Sequence, residues 1–404
     1  MKDKKQEVFL IGIGPGSLSV LTAEAKSQIE SCDCIVGAKR MVESLAAFGK
    51  PAFSSYLASE VKEYILTHRE YQKIAVLYSG DTGFYSGAKE LLEVLSEVCQ
   101  IQVIPGISSI VYLAAKLRVS WEDAKLISIH GRQNPYIYEI ARNKKTFLLF
   151  GGKELGKEFC QQIKAYGLEH VKIWIGQNLS YQEETLSCKK GDEITPEDLT
   201  GLTVLYIENE KPFLSDGGNI PDEDFIRGNV PLTKEEVRAV SIGKLKLHQQ
   251  AVLYDVGAGT GSIGIEAATK HSDIKVYAIE KNPEGIELIQ KNQRKFYVDQ
   301  VEVVAGVAPA VLGELPPPTH VFIGGSSGNL KEIITQVTAK NEQVRIVINA
   351  ITLETIKEVM EAAENGLLKE VEIIQMQVAK AKKLANYHMM NGENPIYIIS
   401  AGGN

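Results

Sequence analysis

Short β-branched runs that end in glycine turns and lead into amphipathic stretches recur along the whole chain. The runs in the first quarter are VFLIGIG, CIVG, KIAVLYSG and IQVIPG. After residue 230 the pattern returns as VLYDVGAG, VYAIE, VEVVAG, HVFIGG and VRIVINA. Alternating strands and helices are typical of α/β folds with mainly parallel sheets. The sequence therefore predicts an α/β protein throughout.

The length of 404 residues indicates more than one domain, because about 150 residues is an ordinary domain size. Residues 211–228 are rich in Gly, Asp and Pro and lack periodicity, which predicts a linker. Residues 1–210 are predicted to form a two-lobed α/β domain with a second, mixed-sheet lobe. Residues 229–404 are predicted to form a Rossmann-like, mainly parallel sheet closed by an antiparallel hairpin.

Two local expectations concern the second domain. Thr233 precedes an acidic turn and is predicted to cap the helix that follows. A lysine run at 380–383 is predicted to be a solvated loop that precedes a hairpin turn at Asn391-Gly392.

Composition excludes several kinds of protein. The 44 basic and 51 acidic residues give a net charge of −7, which argues against a nucleic-acid binder. The five cysteines lack C-x-x-C spacing, so neither a disulfide framework nor a metal site is expected. The N-terminal apolar run is broken by glycines and Pro15, and no stretch reaches the roughly 18 apolar residues of a membrane helix. A soluble cytoplasmic protein without bound metal is predicted.

A glycine turn that runs from Asp255 to Gly261 separates a buried strand from a helix. Glycines let a ligand approach the backbone, and the helix start offers free N–H groups. Glu280, about 20 residues beyond the turn, can accept hydrogen bonds from both hydroxyls of a ribose. Dehydrogenases also place an acid there. The D-x-G-x-G-x-G pattern, however, resembles class I S-adenosylmethionine-dependent methyltransferases and favours a methyltransferase over a dehydrogenase.

Three glycine loops in the first half follow neighbouring strands: GIGPG at 12–16, SGDTGFYS at 79–86 and IPGISS at 104–109. Ligands of open α/β sheets bind at the carboxyl ends of the strands. One such loop alone is more often a simple turn, whereas three are expected to meet at a single crevice.

These three loops resemble the tetrapyrrole methylase family. The segments HGR at 130–132 and QNLSYQEE at 177–184 are similar to the branch that methylates carbon 5 of precorrin-6Y or its cobalt counterpart. GNVPLTKEEVRA, DVGAGTGSIGIEAA, FIGGSSGNL and NAITLET resemble the partner enzymes that methylate carbon 15 and remove a carboxylate. The resemblance covers nearly the whole chain, in the order of the fused enzymes of cobalamin biosynthesis.

The resemblance implies contacts with S-adenosylmethionine in both domains. In the first domain they fall on Pro15, Gly80, Asp81, Phe84, Ser108 and Ser109. In the second they fall on Thr233, Gly257, Ala258, Gly259, Thr260, Gly261, Glu280 and Ala308. The family often has G-D-A-P where this chain has Gly306-Val307-Ala308-Pro309, so only backbone groups are expected to meet the adenine there.

Precorrins carry several carboxylates, which arginines or lysines can hold. Lys234 and Arg238 are candidates, or else part of a solvated helix face. The loop at Gly325 and Ser326 can cradle a carboxylate, or be a flexible turn. Weaker substrate-binding candidates are His130, Arg132 and Asn349. A lone histidine is more often a packing or hydrogen-bonding residue than a ligand-binding one, and asparagine is common in turns.

The sequence thus predicts a bifunctional methyltransferase that modifies a precorrin at carbons 5 and 15 and decarboxylates an acetate arm. No catalytic side chain is singled out, because methyl transfer mainly needs alignment of the reactants. A methylase fusion for another small heterocycle and a non-catalytic S-adenosylmethionine-binding regulator remain as alternatives. Whether the substrate holds cobalt stays open. The resemblance implies a homo-oligomer.

Overall fold

The computed structural model describes residues 5–129, 134–214 and 218–403, which form two compact units. The first unit runs to Asn134 and resumes from Asn143 to Pro212. The second consists of Pro135–Arg142 and the chain from Phe213 onward.

The helices and strands alternate as the sequence predicts. The helices are α1 (Ala23–Ser31), α2 (Lys39–Ser44), α3 (Ala58–Thr67), α4 (Ala88–Leu95), α5 (Ser109–Leu117), α6 (Tyr136–Arg142), α7 (Lys153–Ala165), α8 (Glu235–Leu245), α9 (Ser262–Thr269), α10 (Pro283–Lys295), α11 (Leu330–Lys340) and α12 (Leu353–Glu364). The strands are β1 (Glu7–Gly12), β2 (Cys34–Gly37), β3 (Ala52–Ser54), β4 (Lys73–Tyr78), β5 (Gln100–Ile104), β6 (Lys125–Ser128), β7 (Lys145–Gly151), β8 (Lys172–Gln177), β9 (Thr185–Lys190), β10 (Leu202–Glu208), β11 (Val252–Val256), β12 (Lys275–Glu280), β13 (Val301–Ala305), β14 (His320–Ile323), β15 (Arg345–Ala350), β16 (Glu372–Met376), β17 (Ala379–Leu384), β18 (Tyr387–Gly392) and β19 (Ile396–Ala401).

The first unit contains two sheets. One is wholly parallel, in the order β3-β2-β4-β1-β5, and its inner strand β1 is buried on both faces. Val8 and Leu10 pack on one side of that sheet, and Phe9 and Ile11 pack on the other. The other sheet, β6-β7-β10-β8-β9, is mixed, since only β6 and β7 run parallel. The predicted two-lobed α/β fold is confirmed.

The second unit is built on a seven-stranded sheet in the order β13-β12-β11-β14-β15-β19-β16. Its first five strands are parallel, and β19 and β16 are antiparallel to their neighbours. The carboxyl ends of β11, β12 and β14 therefore share one edge of the sheet. The predicted Rossmann-like sheet with a closing antiparallel pair is confirmed.

The chain between β16 and β19 differs from the prediction. Strands β17 and β18 form a separate two-stranded ribbon, so the lysine run lies in a strand and not in a loop. The ribbon turns at 385–386, where Ala385 has a positive φ of 54°. Asn391 cannot be in the turn because it pairs with Lys380 across the ribbon.

Helix α6 belongs to the second unit although its chain neighbours belong to the first. Asp299 accepts hydrogen bonds from the Ile137 and Tyr138 N–H groups at its start, at 3.0 Å each. At its end, Arg142 donates to the carbonyls of Phe296 and Tyr297. The first N–H groups of the helix and the side chain of its last residue are thereby both bonded within this unit.

Arg238 is fully buried in helix α8, so its prediction as a substrate-binding residue is wrong. Its guanidinium donates to Glu266 at 2.6 Å, to Asp222 at 3.1 Å and to the Ile220 carbonyl. All its donors are thus turned inward, and they hold the segment around 220–225 against the unit. Phe225 of that segment lies under the guanidinium, 4.8 Å from ring centre to Cζ.

The start of α8 also differs from the prediction. Arg238 donates to the Thr233 carbonyl at 2.6 Å, and the helix is capped one residue later, at Lys234, without a side-chain hydrogen bond. The prediction of Thr233 as the cap is therefore wrong by one position.

Arg238→Ala is expected to lower the free energy of unfolding by about 3–5 kcal/mol, because it leaves Glu266 and Asp222 buried without their cation. Lys234→Ala is the matched control: its exposed ammonium lies 3.9 Å from the same Asp222 and contributes within about 1 kcal/mol. Denaturant unfolding of both variants measures the difference. Equal midpoints would contradict this account of the buried cluster.

Candidate active sites

The three glycine loops of the first unit meet, as the sequence predicts. Gly14 and Gly80 exchange backbone hydrogen bonds of 3.1 and 2.8 Å. A Cβ on Gly106 would lie 2.2 Å from the Gly80 carbonyl oxygen and 2.5 Å from that of Gly12. Since no side chain fits at that distance, the close approach of the three loops requires glycine.

Asp81 ties two of these loops together. Its Oδ1 accepts the Gly83 N–H at 2.8 Å, and its Oδ2 accepts the Gly106 N–H at 3.1 Å. The carboxylate therefore has a fixed position at the carboxyl edge of β4.

A cavity of about 210 Å³ opens at this edge. It is lined by all six residues that the sequence predicts for this domain: Pro15, Gly80, Asp81, Phe84, Ser108 and Ser109. The second sheet of the unit contributes Ser128, Leu149 and Thr203 to the wall. Ser108 also caps helix α5, because its hydroxyl accepts the Ile110 N–H.

Sequence reasoning missed Arg40 and Tyr181. Arg40 lines the cavity and donates to the Tyr181 hydroxyl, and the Tyr181 ring lies directly over Gly16. Arg40 follows β2 at the same sheet edge as the three loops, so its position along the chain was an available signal. Tyr181 lies within QNLSYQEE, which the sequence analysis singles out only as a segment.

His130 and Arg132, the remaining candidates of this domain, lie outside the described residues.

A larger cavity, of about 890 Å³, lies at the carboxyl edge of the sheet in the second unit. Its floor is formed by the turn after β11 and the loop after β14. Gly257 has a φ of +71°, and a Cβ there would lie 2.6 Å from the Gly325 carbonyl oxygen. These two loops therefore also approach each other more closely than a side chain would allow.

Glu280 is buried at the end of β12 and lines this cavity. Its Oε2 accepts the Gly259 N–H at 2.7 Å, and its Oε1 accepts the N–H groups of Lys281 and Asn282 at 2.9 and 2.8 Å. Backbone donors thus fix both oxygens, and a carboxylate oxygen can accept a further hydrogen bond.

Most candidates of the second domain come together at this cavity. The lining includes Thr233, Gly257, Ala258, Gly259, Glu280 and Ala308 from the cofactor set, and Lys234, Gly325, Ser326 and Asn349 from the substrate set. Thr260, Gly261 and Arg238 do not line it. Thr260 is buried, and Gly261 packs against Ile289 and Ile265.

Three further side chains at this cavity bear on binding. Val307 lines it and is 38% exposed. Lys281, which the sequence analysis missed, donates to the Ser327 hydroxyl at 2.9 Å. The Asn349 Oδ1 accepts a hydrogen bond from Ser241, while its buried Nδ2 has no partner within the described part of the chain.

Asp255, which opens the glycine turn, lies beneath the cavity floor. Its Oδ2 accepts the Gly264 N–H at the start of helix α9, at 2.9 Å. Burial raises the pKa of Asp255 to about 7, and the Glu280 charge adds to that rise, whereas the Gly264 hydrogen bond opposes it. The side chain anchors the turn and does not line the cavity.

Within the described ranges, no helix has the length and apolarity needed to cross a membrane. The same residues contain no group of three or more His, Cys, Asp or Glu side chains that could hold a metal ion.

Comparison with known proteins identifies the family. A family model described as a precorrin methyltransferase domain matches residues 224–401, and one described as tetrapyrrole (corrin/porphyrin) methylases matches residues 7–194. A protein of Pyrobaculum calidifontis described as "Probable cobalt-precorrin-6B C(15)-methyltransferase (decarboxylating)" is 42% identical over 194 residues, which are 47% of this chain and 97% of that protein. The chain belongs to the precorrin methyltransferases.

Other relatives of this precorrin methyltransferase have similar descriptions. The cobalt-precorrin-6B C(15)-methyltransferase (decarboxylating) of Salmonella typhimurium is 35% identical over 181 residues, 44% of this chain and 93% of that protein. A crystal structure described as precorrin-6Y C5,15-methyltransferase from Geobacter metallireducens is 39% identical, with a TM-score of 0.44; the match covers 46% of this chain and all of that one.

The predicted family and enzyme class are confirmed by these matches. The predicted cofactor is confirmed as well, because tetrapyrrole methylases use S-adenosylmethionine.

The raised pKa of Asp255 predicts a pH-dependent stability. A folded-state pKa above the unfolded value means that this group's contribution is fully present below about pH 4 and is lost as the pH rises toward about 7. Asp255→Asn does not titrate, so from pH 5 to pH 8 it should gain on the order of 2 kcal/mol relative to the parent protein.

Denaturant unfolding at the two pH values measures this gain. Glu314→Gln, at an exposed position of the same unit, is the control and should follow the parent protein at both. A constant difference between Asp255→Asn and the parent protein would show that Asp255 is already ionised at pH 5.

Proposed function

We propose that this chain is a bifunctional enzyme that methylates a precorrin at carbons 5 and 15 and decarboxylates its acetate side chain in cobalamin biosynthesis. The observation that carries the proposal is the pair of separate clefts, each built by glycine loops at a sheet edge, in a chain whose halves match two methylase families. The first unit is assigned to carbon 5. The second is assigned to carbon 15 and to decarboxylation, as in the C(15)-methyltransferases that it resembles.

The second cleft has features that fit S-adenosylmethionine. A Cβ at Gly257 or Gly259 would meet backbone oxygens at 2.6 and 2.7 Å, so the turn keeps a bare backbone surface. Glu280 would hold the ribose hydroxyls, and the backbone at Val307 and Ala308 would meet the adenine. When bound, the cofactor supplies an electrophilic methyl group on its sulfonium.

The first cleft offers a comparable set of groups for binding S-adenosylmethionine. Asp81, Ser108 and Ser109 present polar groups beside the bare backbone of Gly80, and Pro15 and Phe84 supply apolar walls. We assign these residues to the second molecule of S-adenosylmethionine.

The chain's own contribution to the chemistry is to orient the macrocycle and exclude water. The nucleophilic carbon of a reduced tetrapyrrole is enamine-like, so alignment with the methyl group is the main requirement. Arg40 in the first cleft and Lys234 and Lys281 in the second can each hold a substrate carboxylate through charge-assisted hydrogen bonds. Loss of carbon dioxide leaves an electron pair that the conjugated macrocycle can delocalise.

The two-site assignment predicts that each activity can be removed separately. Asp81→Ala should slow the methylation at carbon 5 and leave the second methylation and decarboxylation intact. Glu280→Ala should do the reverse, because it removes the acceptor for the ribose hydroxyls. We expect each affected rate to fall by roughly 100-fold, the effect of losing one or two hydrogen bonds to an ionised group.

The measurement is mass spectrometry of precorrin-6Y, and separately of its cobalt form, after incubation with S-adenosylmethionine and each variant. Two added methyl groups and one lost carbon dioxide in the parent protein support the proposal and identify the substrate form. No mass change on either macrocycle, with S-adenosylmethionine binding demonstrated, would favour another heterocycle as substrate or a regulatory role.

The family resemblance also leads us to expect a homo-oligomer. Light scattering of the full chain should give a mass that is a multiple of 44.4 kDa. A mass equal to that of one chain would contradict this expectation.

A further inference from the structure

The loop between β8 and β9, residues 178–184, reaches the cleft of the first unit. Leu179 is buried and lines the cavity there. Next to it, the Ser180 hydroxyl accepts the Ser17 N–H at 2.9 Å, directly after the glycine loop that ends at Gly16. The mixed sheet thereby contributes a loop that is bonded to a glycine loop of the parallel sheet.

Contacts within the first unit hold this loop in an unusual conformation. Asn178 and Ser180 have positive φ angles of 48° and 71°. Such angles cost energy for residues other than glycine and persist where surrounding contacts determine them. The Glu184 Oε2 accepts the Ser180 N–H at 2.6 Å, and its Oε1 lies 2.7 Å from the Lys116 Nζ. The side chain of Tyr181, which follows Ser180, therefore has a defined direction.

Tyr181 contacts a cation of the cavity wall. Its ring lies over Gly16, where a Cβ would overlap it, and its hydroxyl accepts a hydrogen bond from the Arg40 Nη1. The Arg40 Cζ is 5.7 Å from the ring centre, so the contact with the hydroxyl is the shorter one. Because Arg40 lines the cavity, Tyr181 fixes the position of a positive charge there.

The pair of Arg40 and Tyr181 has hydrogen-bond donors without acceptors. Among the described residues, the guanidinium donates to the hydroxyls of Tyr181 and Ser79, the latter at 3.5 Å, and forms no ion pair. The proton of the Tyr181 hydroxyl has no acceptor among the same residues. A guanidinium has five N–H donors and a phenol has one O–H donor. Unmatched donors and an unmatched positive charge thus lie together at the cavity.

A carboxylate is the ligand group that matches this pair. Its two oxygens accept hydrogen bonds from the planar fork of a guanidinium, and its charge is opposite to that of Arg40. A neutral ligand group would satisfy the donors and leave the charge unmatched.

We propose that Tyr181 is a positioning residue of the first cleft, whose hydroxyl holds the Arg40 guanidinium in place to bind a carboxylate of the ligand. The inference rests on the proposed function of the first unit and deepens it, because Tyr181 itself does not line the cavity. A guanidinium that is held before the ligand arrives loses less conformational entropy on binding. Two ligands bring a carboxylate to this cleft, namely the macrocycle and the amino-acid end of S-adenosylmethionine.

The test measures methylation by the full chain carrying Glu280→Ala, so that the methyl group gained is the one assigned to the first unit. Tyr181→Phe keeps the ring over Gly16 and removes the hydroxyl. It should raise the KM for the ligand that brings the carboxylate roughly tenfold, with kcat little changed. Arg40→Gln should raise that KM roughly 30-fold, because it removes the charge-assisted contact itself. Tyr56→Phe is the matched control, since Tyr56 belongs to the same unit and is 81% exposed.

The double variant distinguishes positioning from a structural role. If Tyr181 acts through Arg40, Tyr181→Phe has no further effect on the KM in the presence of Arg40→Gln. A residue that only stabilises the loop would change the KM by the same factor with and without Arg40→Gln.

Calorimetry with S-adenosylmethionine alone identifies the source of the carboxylate. A raised Kd of the cofactor in Tyr181→Phe and Arg40→Gln assigns the carboxylate to S-adenosylmethionine. An unchanged Kd of the cofactor, together with a raised KM for the macrocycle, assigns it to the macrocycle.

Two results would overturn the inference and leave the proposed function standing. One is an equal effect of Tyr181→Phe with and without Arg40→Gln. The other is a set of KM and Kd values for Arg40→Gln that equals that of Tyr56→Phe. A Glu280→Ala protein that binds S-adenosylmethionine and adds no methyl group to either form of the macrocycle overturns the proposed function of the first unit, on which the inference rests.

Discussion

Both clefts depend on loop backbones that approach each other more closely than any side chain permits. Gly106 lies against the carbonyls of Gly12 and Gly80, and Gly257 lies against Gly325. In each case the contact joins loops that leave different parallel strands at the same sheet edge. A single methyl group at Gly106 or Gly257 would push the loops apart and displace the polar groups that they carry. The glycines therefore determine where the cavity walls are, even where they touch no ligand themselves.

A carboxylate then fixes each loop set in place. Asp81 accepts N–H groups from two loops in the first unit, and Glu280 accepts three in the second. Backbone donors cannot swing away as side chains can, so these carboxylates need little reorganisation when a ligand arrives. The two units have different folds, and they use the same physical device to position an acid at a strand end.

The sequence predicts the regular part of this arrangement well. Strand periodicity and glycine turns locate both sheets and the loops at their edges, and the family resemblance implies particular residues within and beyond those loops. Ten of the fourteen cofactor candidates lie in these loops or at a strand end and line the cavities: Pro15, Gly80, Asp81, Phe84, Ser108, Ser109, Gly257, Ala258, Gly259 and Glu280. Thr233 and Ala308 also line the cavity of the second unit. Thr260 and Gly261 do not, because the glycine turn has an inner side that packs on helix α10, and spacing along the chain cannot tell the two sides apart.

The errors arise where contacts that the local sequence does not show decide the structure. Arg238 looks like a surface cation until Glu266 and Asp222, which are remote in sequence, enclose it. Asn391-Gly392 predicts a turn because Asn-Gly is a strong turn signal, yet cross-strand pairing with Lys380 holds Asn391 in a strand. Arg40 is a different case, because only its position after β2, and no motif, marks it as a site residue.

Helix α6 gives the fusion a property that two domains joined by one linker would lack. The chain leaves the first unit at Asn134, contributes one helix to the second, and returns at Asn143. Ile137, Tyr138 and Ile140 of that helix are buried within the second unit. The Asp299 carboxylate of the same unit accepts hydrogen bonds from the N–H groups of the first helical turn. Cleavage near residue 212 would therefore leave helix α6 on the N-terminal fragment, away from the unit in which it is buried. On the C-terminal fragment it would expose the apolar surface that this helix covers. A single break of the polypeptide therefore cannot separate the two units as intact folds.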